Sequence, residues 1–141
     1  MKFLLKTLSI ALVCLSPVLS WAQDYPVKPV KILVGYVAGG SPDFVARALA
    51  QKLTDILGQP FVVENRPGAG GTIGTEMVAK APPDGYTLLI GTNGPIAIGP
   101  HVYPKLGYDP LKDLDPVNLF AMVPYAIVVN ATSKANNLQD L

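Results

Sequence analysis

Lys31–Leu57, KILVGYVAGGSPDFVARALAQKLTDIL, decides the reading of this chain. Ile32, Leu33 and Val34 form a short apolar run suited to a buried strand. Gly39-Gly40 allows a tight reversal, because glycine has no Cβ to clash. Ser41 is a candidate N-cap, with Pro42 at the first helical position and Asp43 in the first turn, where the helix dipole favours negative charge. Val45, Ala48, Leu49, Leu53 and Ile56 recur at three- and four-residue steps and predict one apolar helix face, with Arg47, Gln51 and Asp55 on the other side. Gly58 is placed to end the helix and Pro60 to prevent its return. A strand, a glycine turn and a helix in this order aim free backbone N–H groups outward from the carboxyl end of the strand, where an anion is favoured.

Working outward, Phe61-Val62-Val63 reads as a second strand ending at Glu64-Asn65, and Arg66–Gly71 as a loop. Thr72–Lys80 has helical character, with Ile73, Met77 and Val78 as its apolar side. Pro83-Asp84-Gly85 is a turn, Tyr86–Ile90 a third strand and Gly91–Gly94 a third glycine loop. Ile98–Tyr103 suggests a short helix or turns, Leu111–Leu114 one helical turn, and Ala126–Val129 a fourth strand. Ser133–Leu141 reads as a loop and the start of a helix capped by Asn136 or Asn137; one turn cannot sustain itself, which suggests a fragment of a longer chain. Alternating strands and helices imply an α/β fold with a parallel sheet.

The first residues read as an export signal. Lys2 and Lys6 precede a mostly apolar stretch, Leu8–Leu19, and Ser20-Trp21-Ala22 predicts cleavage after Ala22. Of 141 residues, 119 then remain, and the only cysteine, Cys14, and the only tryptophan, Trp21, are removed. Two of the eleven basic residues lie in the signal, leaving nine against ten acidic ones. No basic stripe remains for nucleic acid. Export without cysteine points to a bacterial periplasm, and 119 residues can bury a core without disulfides.

Three glycine-bearing loops follow three successive strands: Val37–Ser41, Arg66–Gly71 and Gly91–Gly94. In a parallel sheet all three lie outside the carboxyl ends of the strands. The rim offers backbone N–H groups, the hydroxyls of Ser41, Thr72 and Thr92, and the amides of Asn65 and Asn93, a set suited to a small anion. Gly68, Gly70 and Gly74 do not have G-x-G-x-x-G spacing, so no nicotinamide cofactor is expected. His101 is the only histidine, and no acidic cluster has metal-ligand spacing. Asp109, Asp113 and Asp115 are interrupted by prolines and look like turn-formers. Asp43 and Arg47, four apart, make either a surface pair or, through Asp43, a brace for the first loop.

Tyr25–Leu53, then the long motif VVENRPGAGGTIGTEMVAKAPPDGYTLL at Val62–Leu89, then YPKLGYDPLKDLDPV at Tyr103–Val117, resemble the Bug family, the periplasmic solute receptors of tripartite tricarboxylate transporters. The resemblance runs from Tyr25 to Leu141. It implies a type II periplasmic binding protein of two α/β lobes closing on a ligand (a Venus flytrap). Residues 1–22 would be the signal peptide, 23–130 the first lobe and 131–141 the start of a truncated crossover, with the second domain largely absent. Family ligands are small carboxylates: di- and tricarboxylates, acidic amino acids, and aromatic or amide compounds such as nicotinate. The implied contacts are the loops Tyr36–Asp43, Asn65–Thr72 and Thr92–Asn93. Within them Ser41 and Thr92 are hydrogen-bond donors and Asn65 and Asn93 orienters. Gly39, Gly40, Ala69, Gly70 and Gly71 give main-chain access, and Asp43 acts as a brace. The implied partners are two membrane permease subunits, with a monomeric receptor, no cofactor and no metal.

The first loop departs from the family's P-F-A-P-G-G-x-x-D. Here Gly35–Asp43 reads GYVAGGSPD, with both prolines missing and Pro42 new. After Thr92, Asn93-Gly94-Pro95-Ile96 replaces the family's hydroxyl-bearing run and makes that wall more apolar. Two alternatives to the receptor stand: an exported enzyme acting on a small acyl or phosphate substrate with His101 as its base, and a truncated product without function.

Overall fold

The computed structural model describes residues 25–140 apart from 125 and 136. The expected export signal and cleavage site, with Cys14, Trp21, Asn136 and Leu141, lie outside the described residues. The chain runs β1 (Val30–Val34), α1 (Ser41–Leu57), β2 (Phe61–Asn65), a 3-10 turn (Ala69–Gly71), α2 (Thr72–Ala79), β3 (Thr87–Ile90), a π-type turn (Gly94–Ile98) and α3 (Gly99–Val102). A last 3-10 turn is Leu138–Asp140.

The sheet has the order β2-β1-β3, and both pairings are parallel. Val30 lies opposite Phe61 and Val34 opposite Asn65; on the other side Lys31 faces Thr87 and Val34 faces Ile90. All three strands therefore end at one edge. As the middle strand, β1 buries Val30, Ile32, Leu33 and Val34. Its one exposed residue, Lys31, pairs with Glu64 at 3.1 Å. Ala46, Ala50, Phe61 and Ile90 complete the buried core, with Leu49, Leu53, Val63 and Leu88 packed around it.

Both helices meet the sheet through smaller residues than the large apolar ones predict. On α1 the buried positions are Asp43, Ala46 and Ala50, with Leu49 and Leu53 half-buried; Ala48 is exposed and Ile56 is 73% exposed. On α2 the buried positions are Thr72, Gly74 and Thr75, while Ile73 and Met77 are exposed. The reason is distance: small side chains let the helix backbone come close to the sheet, and the larger ones are then left at the flanks. Thr75 remains satisfied because its hydroxyl donates to the Gly71 carbonyl at 2.9 Å.

The start of α1 also differs by one position from the sequence expectation. Gly40 is the N-cap, and Ser41 and Pro42 are the first two helical residues. The capping role passes to Asp43, which reaches back to accept the Gly39 N–H at 2.8 Å. The other end follows expectation: Gly58 is left-handed, and its N–H donates to the Thr54 carbonyl. Thr54 also accepts the Phe61 N–H at 3.0 Å, tying the end of α1 to the start of β2.

The fourth strand expected at Ala126–Val129 is not formed; these residues are exposed and outside the sheet. An apolar run becomes a strand only where a neighbour takes its N–H and C=O groups. The single turn expected at Leu111–Leu114 begins earlier, at Asp109: the Asp109 carbonyl accepts the Asp113 N–H at 2.8 Å, and its side chain accepts the Leu111 N–H at 3.0 Å. Asn137 caps the last turn by accepting the Gln139 N–H at 2.9 Å.

Candidate functional site

The three strand-ending loops meet at the carboxyl edge, and their closeness depends on missing side chains. A Cβ on Gly35, just beyond β1, would lie 2.8 Å from the Gly71 carbonyl oxygen. A Cβ on Gly74, in the first turn of α2, would lie 2.9 Å from the Gly35 Cα and 3.0 Å from the Arg66 carbonyl oxygen. Main chain therefore packs on main chain where β1, the second loop and α2 join. Gly74 serves this approach, which explains a dinucleotide-like glycine in a chain without the dinucleotide spacing.

Tyr36 links all three loops. Its hydroxyl lies 3.1 Å from the Gly70 carbonyl oxygen in the second loop and 2.9 Å from the Thr92 hydroxyl in the third. Its ring is held closely: a Cβ on Gly71 would come 3.2 Å from the ring, and one on Gly94 would come 3.2 Å from the hydroxyl.

Asp43 is the second organiser. It is 3% exposed and accepts from Gly39 in the first loop, from Arg47 one turn along α1 and from Asn65 at the end of β2. Arg47 Nε is 3.0 Å from Asp43 Oδ2, and an Arg47 guanidinium N–H also donates to Asn65 Oδ1 at 3.1 Å. Asn65 Nδ2 donates to Asp43 Oδ1 at 3.0 Å and to the Tyr36 carbonyl at 3.1 Å. The Arg47 hydrogen bond, then the Gly39 and Asn65 ones, hold the Asp43 carboxyl at a pKa of about 2, below its ordinary 3.8, against the opposing effect of burial. The acid stays ionised and neutralised, so it adds little negative field to the rim.

The second loop turns through a run of positive φ angles, with Gly68, Gly70 and Gly71 joined by Ala69 at φ 46°. The Ala69 carbonyl collects the Thr72 hydroxyl at 2.9 Å and the Tyr103 hydroxyl at 3.4 Å. Thr72 and Gly71 are buried, whereas Ala69 and Gly70 are exposed. Gly39 and Ser41 are exposed at the start of α1, Gly40 and Thr92 are half-buried, and Asn93 is exposed at the start of the π-type turn.

Sequence reasoning left Arg47 among surface groups; the i,i+4 spacing to Asp43 was its signal, and the contact to Asn65, distant in sequence, was not visible. His101 is exposed on α3, which directly follows the π-type turn after the third loop. Among the described residues no group of histidine, cysteine, aspartate and glutamate is arranged to hold a metal ion. Nor is any described helix long and apolar enough to cross a membrane.

Residues 45–141 match the tripartite tricarboxylate transporter family receptor, TctC. The chain belongs to this family. BugT of Bordetella pertussis is 46% identical over 121 residues, which are 85% of this chain and 37% of BugT. Among solved structures, the periplasmic binding protein BugD is 44% identical with a TM-score of 0.57, over 63% of this chain and 29% of BugD. MatC of Rhodopseudomonas palustris, solved with bound malate, is 43% identical with a TM-score of 0.60, over 63% of this chain and 30% of MatC. The sheet and its loops are thus part of a periplasmic binding protein fold, and the chain spans well under half the length of these relatives.

Proposed function

We propose that this chain is the first lobe of a periplasmic solute receptor that takes a small carboxylate for a tripartite tricarboxylate transporter. The supporting observation is the convergence of the three loops at one edge, with the buried acid there, Asp43, neutralised by Arg47. That edge offers main-chain N–H groups at Ala69–Gly70 and the hydroxyl of Ser41, a set matched to carboxylate oxygens, while the Gly39 and Gly40 N–H groups hold the first loop in shape by donating to Asp43 and to the Val37 carbonyl. Asp43 and Asn65 shape the rim through hydrogen bonds to each other and to main chain, the Thr72 hydroxyl does so through the Ala69 carbonyl, and Asn93 is exposed in the loop after β3. Gly71 lies beneath it. Binding, not catalysis, suits these groups: the hydroxyls of Tyr36, Thr72 and Thr92 pair with each other or with main-chain carbonyls instead of a histidine. MatC holds malate in its own structure, which is consistent with a carboxylate here.

In this reading residues 1–22 are removed on export, 23–130 form the lobe and 131–141 lead toward a second lobe. Ligand bridging the two lobes would bias an open–closed equilibrium that the permease subunits read. The receptor would act as a monomer. The test is a thermal melt of the processed chain by circular dichroism with succinate, L-malate, citrate, L-glutamate and nicotinate. A ligand at one hundred times its Kd stabilises by about 2.7 kcal/mol, so one of these should raise the melt by several degrees. A melt indifferent to all five overturns the carboxylate reading for this chain.

A further inference from the structure

The direction of one hydrogen-bond chain at the rim points to a second feature of the ligand. Tyr36 carries a single hydroxyl proton. The Gly70 carbonyl oxygen, 3.1 Å away, can only accept, so the Tyr36 proton is directed there. The Tyr36 oxygen then meets the Thr92 hydroxyl, 2.9 Å away, as an acceptor, and the Thr92 proton is directed at Tyr36. The tyrosine cannot easily swing out of this arrangement, because its ring and hydroxyl sit against Gly71 and Gly94. Thr92, half-buried in the loop after β3, is left with lone pairs alone to offer a neighbour.

We propose that Thr92 presents an acceptor to the ligand, not a donor, and that the site selects a carboxylate carrying a hydrogen-bond donor such as an amide N–H or a hydroxyl. This deepens the carboxylate reading and rests on it. One end of the ligand uses the main-chain N–H groups and Ser41. The other reaches Thr92 and must bring its own proton. An ionised carboxylate at that point would set oxygen lone pairs against oxygen lone pairs with no proton between them. A buried polar contact left unmade in this way costs far more than a made one returns, so the discrimination is steep. Tyr36 is thereby a specificity-determining residue that acts through Thr92.

Succinate and succinamate differ by one carboxylate oxygen exchanged for an amide NH2, so the pair isolates the effect. Titration calorimetry of the full chain with succinate, succinamate and the neutral succinamide should show succinamate binding at least tenfold more tightly than succinate. Tyr36→Phe frees the Thr92 proton and should move that ratio at least tenfold toward succinate. Thr92→Ser, which keeps the hydroxyl, should leave it unchanged. Thr92→Val should lose the preference without inverting it, and it carries the test if Tyr36→Phe fails to give a cooperative melt. Equal or tighter binding of succinate by the natural chain overturns the proposal, as does a ratio indifferent to both Tyr36→Phe and Thr92→Val. Binding of succinamide alone would remove the carboxylate reading and leave the acceptor role of Thr92 standing. Binding of none of the three removes both.

Discussion

Asn65 Nδ2 lies 3.0 Å from Asp43 Oδ1 and joins the end of β2 to the first turn of α1 across 22 residues of sequence. The same nitrogen donates to the Tyr36 carbonyl, so one amide group holds a strand end, a helix start and the first loop. Asn65→Asp exchanges this donor for a second carboxylate beside Asp43. The expected loss is about 2 kcal/mol or more, because two acids then compete for Arg47 and a main-chain carbonyl loses its donor. Urea unfolding of the variant against the natural chain measures it; a loss below about 0.5 kcal/mol would mean that the amide is incidental.

The ionised Asp43 makes stability depend on acid. Its folded pKa of about 2 lies below the ordinary 3.8, so its contribution is fully present above pH 4. It is lost as the pH falls from about 4 toward 2, where the folded carboxylate takes up a proton. Melting temperatures between pH 5 and pH 2 should therefore fall more steeply for the natural chain than for Asp43→Asn, which has no proton to gain. Parallel curves for the two proteins would remove Asp43 from the acid response.

Two glycines at the same edge should respond differently to a methyl group. Gly74→Ala places a Cβ against the main chain of Gly35 and Arg66, which cannot move aside cheaply. A loss of about 1–3 kcal/mol is expected, with weakened ligand binding as the second loop is pushed away. Gly39→Ala meets nothing within 4 Å and suffers only from its φ of +84°, a cost of about 1–2 kcal/mol. The measurement is the same melt for both, and Gly74→Ala should be the one that also alters binding.

Ala69 holds φ 46°, where a Cβ crowds the following carbonyl. Ala69→Gly should raise the melting temperature slightly, by up to about 1 kcal/mol in stability less the entropy that glycine adds to the unfolded chain. Ala69→Val should lower it, since a β-branched side chain fits that region worst. The reverse order would mean that the side chain at this position packs more favourably than its backbone is strained.

The alternation of strands and helices, the boundaries of β1, α1, β2 and β3 to within a few residues, and the meeting of three loops at one edge were all legible in the sequence. Periodicity, glycine and proline carry that information locally. The helix faces were less legible. Ile56 and Met77 advertise burial by their size, yet the contact runs through Ala46, Ala50 and Gly74, where close approach matters more than hydrophobicity. Ala126–Val129 has strand composition, but composition does not provide a ladder partner. At the site, the residue types of the rim could be read, but not the direction of their protons. Thr92 reads as a donor in the sequence, and the acceptor role proposed for it rests on the contacts of Tyr36 with Gly70 and Thr92, which the sequence does not display. Partnerships of this kind join residues dozens of positions apart, and no local pattern encodes them.

The backbone contact among Gly35, Gly71 and Gly74 bears on how binding preference can be exchanged between members of the family. A loop transplanted alone from a relative would arrive with its own small-residue pattern and meet a backbone shaped for another. The unit of inheritance is therefore the interlocked set: the turn after β1, the loop before α2 and the first turn of α2. Chimeras that move the set together should fold and carry their donor's selectivity, and recombination within it should be strongly disfavoured.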